Sequence, residues 1–283
     1  MIESVAIVGT GLIGTSIGLA LRRAGFDGEI VGVDAKGDEA AMAVSMGACD
    51  RVGAFDDVWK CDVVVLAVPV LTILDFLGRL APLMGPDQLI TDVGSTKLQI
   101  FEMVRSLRGN EVRVRMLPGH PMAGKESGGA ELGDAGLFEG AMWLFTPAEE
   151  EWDVEREWRE WVTRFGARTM DMDARRHDQV CAWVSHLPQM VATAMAAMYE
   201  DEFGAEPEIA AEFQAIGGRA LREMTRLGAS PYSMWRDVAM SNTEPLAATL
   251  FALEQRLQHL REGLRTPELR EEFRLANAFR ARK

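Results

Sequence analysis

Three groups of residues have the types and spacing that chemistry needs. The first is Gly9-Thr10-Gly11-Leu12-Ile13-Gly14, set between an apolar stretch, Val5–Val8, and a helical pattern, Thr15–Ala24. Gly9 permits a tight turn. Gly11 lets the backbone approach a pyrophosphate, whose charge meets the helix N-terminus, and Gly14 lets the helix pack close to the strand. Asp34 stands 20 residues after Gly14, at the end of a second strand pattern, Glu29–Val33. Its carboxylate can accept hydrogen bonds from both ribose hydroxyls and repels a 2′-phosphate. NAD is therefore the expected cofactor. NADP is the weaker reading, kept because Lys36 is near enough to meet a phosphate. The expected cofactor residues are Gly9, Gly11, Leu12, Ile13, Gly14 and Asp34, with Val68 and Pro69 at the end of the apolar run Asp62–Val68.

The second group is Asp92-Val93-Gly94-Ser95-Thr96-Lys97 together with His120-Pro121-Met122-Ala123-Gly124-Lys125-Glu126. Ligands of open α/β sheets sit outside the carboxyl ends of the strands, and Ser95 and His120 both follow strand patterns. A histidine beside a reacting carbon can take a hydroxyl proton as hydride leaves, and its unperturbed pKa of about 6.5 suits that work. The plainer alternatives are a loop histidine that stabilises a turn and, for Ser95, a helix N-cap. The third group is His177-Asp178, then Ser185-His186-Leu187-Pro188-Gln189. His177 and Asp178 read either as an oriented functional pair or as a helix-capping arrangement. His186 lies on an apolar face and reads as a core histidine. Arg219, Arg222 and Arg226 recur at roughly one helical turn and share a face, either a carboxylate-binding one or a solvated stripe. The three cysteines, Cys49, Cys61 and Cys181, are far apart, with no CxxC pair. No metal site and no disulfide framework are expected, and a reducing cytoplasm fits.

These groups need elements to hold them. Strand patterns at Val5–Val8, Glu29–Val33, Asp62–Val68, Leu89–Val93, Arg113–Leu117 and Met142–Phe145 alternate with helical patterns such as Val70–Leu83 and Lys97–Leu107. That alternation predicts a doubly wound α/β fold. Residues 152–165 read as an acidic amphipathic helix, and Ala167–Met172 as a last strand. From Asp173 the patterns are helical only: 176–200, 207–227, 231–262 and 267–281. The expected architecture is an N-terminal Rossmann-type dinucleotide-binding domain, residues 1–172, followed by an all-helical substrate and dimerisation domain, residues 173–283. The chain has 283 residues, is 48% hydrophobic and carries a net charge of −13. Disorder is excluded on composition, and no nucleic-acid partner is expected of so acidic a chain. The apolar stretch Val180–Tyr199 contains Ser185, His186, Pro188 and Gln189, so it reads as a buried helix rather than a membrane span. Met190, Met195 and Met198 on it read as packing. The N-terminus has no basic segment before the glycine run, so no targeting signal is expected.

The chain resembles the prephenate dehydrogenase family, which includes arogenate and cyclohexadienyl dehydrogenases. The segments that carry the resemblance are GTGLIG with Asp34, DVGSTK, LPGHPMAGKESG followed by LF and LFTP, HDQVCAWVSHLP, and then GG, Thr225-Arg226 and Trp235-Arg236-Asp237, in the family's order. The resemblance implies oxidative decarboxylation of a small-molecule cyclohexadiene, prephenate to 4-hydroxyphenylpyruvate or arogenate to tyrosine. Hydride leaves C4 for the nicotinamide and CO2 leaves C1. By motif position His120 would take the 4-hydroxyl proton, and Ser95 would orient His120 and that hydroxyl. Arg226 would bind a substrate carboxylate, and Glu126, His177, Ser185 and Gln189 would complete the substrate side. A dianion bound to so acidic a protein needs such a cation. Gln189 departs from the pattern: many prephenate-using relatives carry a further histidine there, near the substrate side chain. That departure bears on the choice of substrate and on inhibition by tyrosine. The resemblance also implies a homodimer through the helical domain. Two other readings remain: a different two-domain NAD(P)-dependent hydroxyacid or imine oxidoreductase, and a non-catalytic dinucleotide sensor. The first would more naturally use a catalytic lysine. The second would need none of His120, Ser95 and Arg226.

Overall fold

The computed structural model describes residues 1–109, 114–125, 127–148 and 151–282. The first half runs β1 (Ser4–Val8), α1 (Leu12–Arg23), β2 (Glu29–Val33), α2 (Gly37–Ser45), β3 (Arg51–Val52), α3 (Phe55–Val58), β4 (Val63–Leu66), α4 (Val70–Leu80), β5 (Leu89–Asp92), α5 (Leu98–Gly109) and β6 (Met116–Leu117). Its six strands form one parallel sheet in the order β3-β2-β1-β4-β5-β6. That order reverses direction at β1, and the crevice between the carboxyl ends of β1 and β4 is where such sheets bind dinucleotides. The strands are apolar on both sides because helices cover both faces. Along β1, Val5 and Ile7 enter the core under α1, while Ala6 and Val8 enter the core under α4 and α5.

A second, three-stranded sheet follows, made of β7 (Gly119–Pro121), β8 (Met142–Phe145) and β9 (Arg168–Asp171), with α6 (Asp153–Arg164) between the last two. His120 is therefore in a strand, antiparallel to β8 and opposite Leu144, and not in the loop that one sequence alternative assumed. A three-residue strand that ends on proline has too short an alternation to show in the sequence. Trp143, Phe145, Trp158 and Phe165 pack beneath this sheet against the core shared with α1. The packing ties the small sheet to the large one.

From Ala174 the described chain is helical: α7 (Ala174–Cys181), a π-helical turn (Ala182–His186), α8 (Leu187–Phe203), α9 (Pro207–Thr225), a 3-10 turn (Arg226–Ala229), α10 (Tyr232–Ser241), α11 (Thr243–Glu262) and α12 (Glu268–Ala281). The π turn comes just before Pro188, which has no N–H for the carbonyl one turn back. Gly218, at φ +57°, kinks α9. The helix expected over 231–262 is two helices, because Asn242 takes φ −131° and ψ 35° between them. No helix among the described residues is long and apolar enough to cross a membrane.

Candidate active site

The glycine turn has a distinct task for each glycine. Gly9 sits at φ +92°, and a Cβ there would lie 2.3 Å from the Ala67 carbonyl oxygen and 2.8 Å from Val68 Cγ1. A Cβ on Gly14 would lie 1.9 Å from the Gly9 oxygen, so only glycine lets α1 approach the turn. At Gly11 nothing lies within 4 Å of that position, and Gly11 caps α1 with no side-chain partner. Open space above uncapped N–H groups at a positive helix end suits a pyrophosphate. Asp34 Oδ2 accepts from the Thr10 N–H at 2.8 Å and Oδ1 from the Lys36 N–H at 2.9 Å, which fixes the carboxylate beside the turn. Val68 and Pro69 lie where β4 ends beside Gly9, with Pro69 at the N-cap of α4. These residues fit an NAD molecule.

A buried polar cluster lies past the ends of β5 and β7. Asp92, the last residue of β5, and Lys97 are both fully buried and pair at 2.5 Å. Asp92 also accepts from the Gly94 and Gly119 N–H groups at 2.8 and 3.2 Å, so it ties the strand carrying His120 to the large sheet. Burial pushes the Asp92 carboxyl up, and Lys97 and the two N–H groups pull it back. His120 Nδ1 meets His177 Nε2 at 2.9 Å, and His177 Nδ1 meets Asp178 Oδ1 at 2.8 Å. Asp178 is nearly fully buried, and its two oxygens also accept the Lys97 and Leu98 N–H groups at 2.7 and 3.0 Å. Asp178 thus begins α5, a helix from the other half of the chain, while Asp173 caps α7. The capping and pairing alternatives for His177-Asp178 are both present, on different helices.

The proton positions along this chain follow from its donors and acceptors. A carboxylate only accepts, so His177 carries its proton on Nδ1 and offers a lone pair at Nε2. His120 must then donate from Nδ1, and the free lone pair of a neutral His120 is on Nε2. That nitrogen has no partner among the described residues, and His120 keeps 7% exposure. Burial, with His177, Lys97 and His186 behind it, holds the His120 pKa well below the usual imidazole value. Burial also lowers His177, although its Asp178 partner opposes the shift. His186 is pushed down to about 4, mainly by burial. Asn242 donates both to the Asp178 carbonyl at 2.8 Å and to His186 Nδ1 at 3.1 Å. His186 Nε2 then carries the ring proton, buried toward the Ser95 backbone but without a close hydrogen-bond partner. The expected core histidine is buried but only half satisfied.

A family model described as the nucleotide-binding domain of prephenate dehydrogenase matches residues 17–169, and one described as its dimerization domain matches residues 173–280. The chain belongs to the prephenate dehydrogenase family. It is 33% identical over 262 residues to a prephenate dehydrogenase of Lactococcus lactis, an alignment that covers 92% of this chain and 70% of that one. Its fold matches the crystal structure of a prephenate dehydrogenase from A. aeolicus in complex with hydroxyphenyl propionate and NAD+, with a TM-score of 0.88 and 29% identity over 99% of this chain and 98% of that one. It also matches a Synechocystis arogenate dehydrogenase, with a TM-score of 0.76 and 27% identity over 98% of each chain. The chain is accordingly an oxidoreductase, a dehydrogenase with a nucleotide-binding half and a dimerization half.

The other residues expected at the site lie elsewhere around the cluster or in the helical half. Ser95 is half-buried in the turn between β5 and α5 and makes no hydrogen bond to His120; His177 holds that ring instead. Ser185 is half-buried in the π turn. Gln189 is 3% exposed and its amide is engaged: Nε2 donates to the Leu227 carbonyl at 2.7 Å and to Thr193 Oγ1 at 3.2 Å, and Oε1 accepts from Ser230 Oγ at 3.2 Å. It pins the 3-10 turn that Arg226 opens to α8. Arg226 is exposed at that turn, past the end of α9, and Arg219 pairs with Glu223 at 2.6 Å on the outer surface. Glu126 lies outside the described residues. Asp92, Lys97 and Asn242 do not stand out in the sequence as members of the cluster. The only signal for the first two was an acid and a base flanking one Gly-Ser turn.

Proposed function

We propose that His120 Nε2 is the base in an NAD-dependent oxidative decarboxylation of prephenate or arogenate, a step of tyrosine synthesis. Bound NAD supplies the hydride acceptor. His120 takes the 4-hydroxyl proton as the C–H bond at C4 breaks to leave a carbonyl there. Loss of CO2 from C1 then delivers an electron pair through the ring to the C4 oxygen, which takes the proton back from His120 as the ring becomes a phenol. Aromatisation is strongly downhill, so the protein mainly orients C4 and receives one proton. The His120–His177–Asp178 chain carries this reading, because it holds the ring in the tautomer whose Nε2 is bare. Ser95 orients the hydroxyl, Arg226 binds a substrate carboxylate as a bidentate fork, and His177 holds His120 in place. Ser185 and Glu126 complete the substrate side. Gln189 acts on the substrate through the turn of Arg226 that it holds. Asp34 selects NAD over NADP by charge.

The enzyme works as a homodimer through the helical half. Exposed Ile216, Met224, Phe251, Leu257, Phe273 and Phe279 are apolar surface that a second copy covers. Its buried, unpaired cysteines suit a reducing cytoplasm. Neither a nucleic acid nor a membrane is a partner in this reading. The decisive assay follows formation of the reduced nicotinamide with prephenate and with arogenate, each with NAD and with NADP. Reduction with one substrate and NAD is the expected result. No reduction with either substrate, in protein that still binds NAD, overturns the assignment.

A further inference from the structure

Cys181 touches both paired histidines of the buried cluster and has no part in the proposed reaction. It lies one turn after His177 on α7 and is fully buried. Its Sγ is 3.5 Å from His177 Nε2 and 3.9 Å from His120 Nδ1, and those two nitrogens are 2.9 Å apart. A tetrahedral zinc ion with ordinary bond lengths holds two imidazole nitrogens about 3.3 Å apart and a nitrogen and a sulfur about 3.6 Å apart. Each side of the observed triangle is within about 0.4 Å of those values. The other ring nitrogen of His177 already donates to Asp178, the carboxylate support that metal-binding histidines typically have. The nearby Lys97 charge is balanced by Asp92.

We infer that His120 Nδ1, His177 Nε2 and Cys181 Sγ form an inhibitory site for a thiophilic divalent cation of the zinc class. Thiolate and imidazole together select zinc over magnesium or calcium. The three protein donors leave the fourth tetrahedral position to a water or a substrate oxygen. Burial pushes the Cys181 thiol up to about 12, so the free enzyme holds it protonated. Binding releases that proton to solvent as the metal–sulfur bond forms. His120 remains neutral, but its ring proton moves from Nδ1, now a metal ligand, to Nε2. The nitrogen that receives the substrate proton is then already occupied. The ion blocks turnover by imposing the wrong tautomer and leaves the glycine cradle untouched. The loss of turnover, though not the binding, rests on His120 being the base.

The test uses the full-length, chelator-treated enzyme and two metals. Zinc chloride in slight excess is expected to lower turnover at least about 10-fold, reversibly on adding a chelator and with NAD affinity unchanged. Cobalt(II) is expected to produce a thiolate charge-transfer band. Cys181→Ser and Cys181→Ala should keep the parent turnover, lose the cobalt band and need on the order of 100-fold more zinc for the same inhibition. Equal zinc sensitivity in both variants, or a cobalt spectrum with no thiolate band, overturns the site. The cobalt band reads binding even if neither substrate is oxidised, so it separates failure of this site from failure of the proposed reaction.

Discussion

In the proposed reaction the glycine cradle and the histidine cluster act together, and they are built in opposite ways. The cradle is local: Gly9 to Gly14 is one turn, and Asp34 reaches it through the neighbouring strand, with its carboxylate held by Thr10 and Lys36. It is half-exposed at its working face, at Gly11 and Asp34. The cluster is dispersed: Asp92, Lys97, His120, His177, Asp178, His186 and Asn242 come from both halves of the chain, and all are buried. The cradle binds with backbone N–H groups, so its requirement is mainly for the absence of side chains. The cluster must hold one ring in one tautomer, which takes a chain of partners shielded from water. A binding site can thus be set by a short segment, whereas a proton acceptor here needs a complete core.

That contrast can be broken by experiment, and the largest expected effect is at His120. His120→Asn should lower kcat by about 10²–10⁴-fold while the NAD dissociation constant, read by fluorescence titration, stays near the parent value. If NAD affinity falls as far as kcat, the two sites are not separable as described. The next effect is on stability in acid. An unfolded histidine titrates near 6.5, whereas folded His186 refuses a proton until about 4. Between those values the unfolded state binds more protons, so stability is full above about pH 6.5 and falls as the pH drops toward 4. From His186 alone the loss reaches about 3 kcal/mol, and denaturant titrations across that range should show it. A flat profile would mean that the cluster admits water.

His177→Leu sharpens the comparison further. It should lower kcat by about 10–100-fold with little change in KM, because it removes the group that fixes the His120 tautomer. The kcat/KM profile gives a second signature. The base works unprotonated, and its pKa is held low partly by His177, so the acid limb of the parent lies well below pH 6.5. In the variant that limb should move to higher pH. A merely structural role would lower activity at every pH without moving it. The smallest effect is at the cradle. Asp34→Ser should reduce the preference for NAD over NADP by about 10-fold, the worth of a charged hydrogen bond, and leave kcat with NAD nearly intact. An unchanged preference removes Asp34 as the selecting residue.

Much of this was legible in the sequence, for reasons that differ by region. The parallel sheet was legible because strands buried on both faces read as unbroken apolar runs, as at Val63–Leu66. The helical half was legible by type but not in its breaks. Asn242 ends α10 because its amide is used on Asp178 and His186, and neither contact is visible in a helical pattern. His120 stood out as a candidate proton acceptor, but its partner did not. The motif pointed to Ser95, and packing supplied His177 instead. Gln189 stood out as a departure, yet nothing local shows that its amide holds the turn after Arg226.

The cysteines make the same point in reverse. Their wide spacing argued against any metal site, and His177 and Cys181 do share one helix face. What the spacing could not show is that β7 brings His120 against that face. The sequence by itself determined the glycine turn, the acid that faces it and the division into an α/β half and a helical half. Those depend on backbone requirements and periodicities carried by neighbouring residues. Only the tertiary structure decided which nitrogen of His120 is free, which aspartate orients it and which thiol lies beside it. Those depend on burial and on distances between segments that the chain joins only by folding.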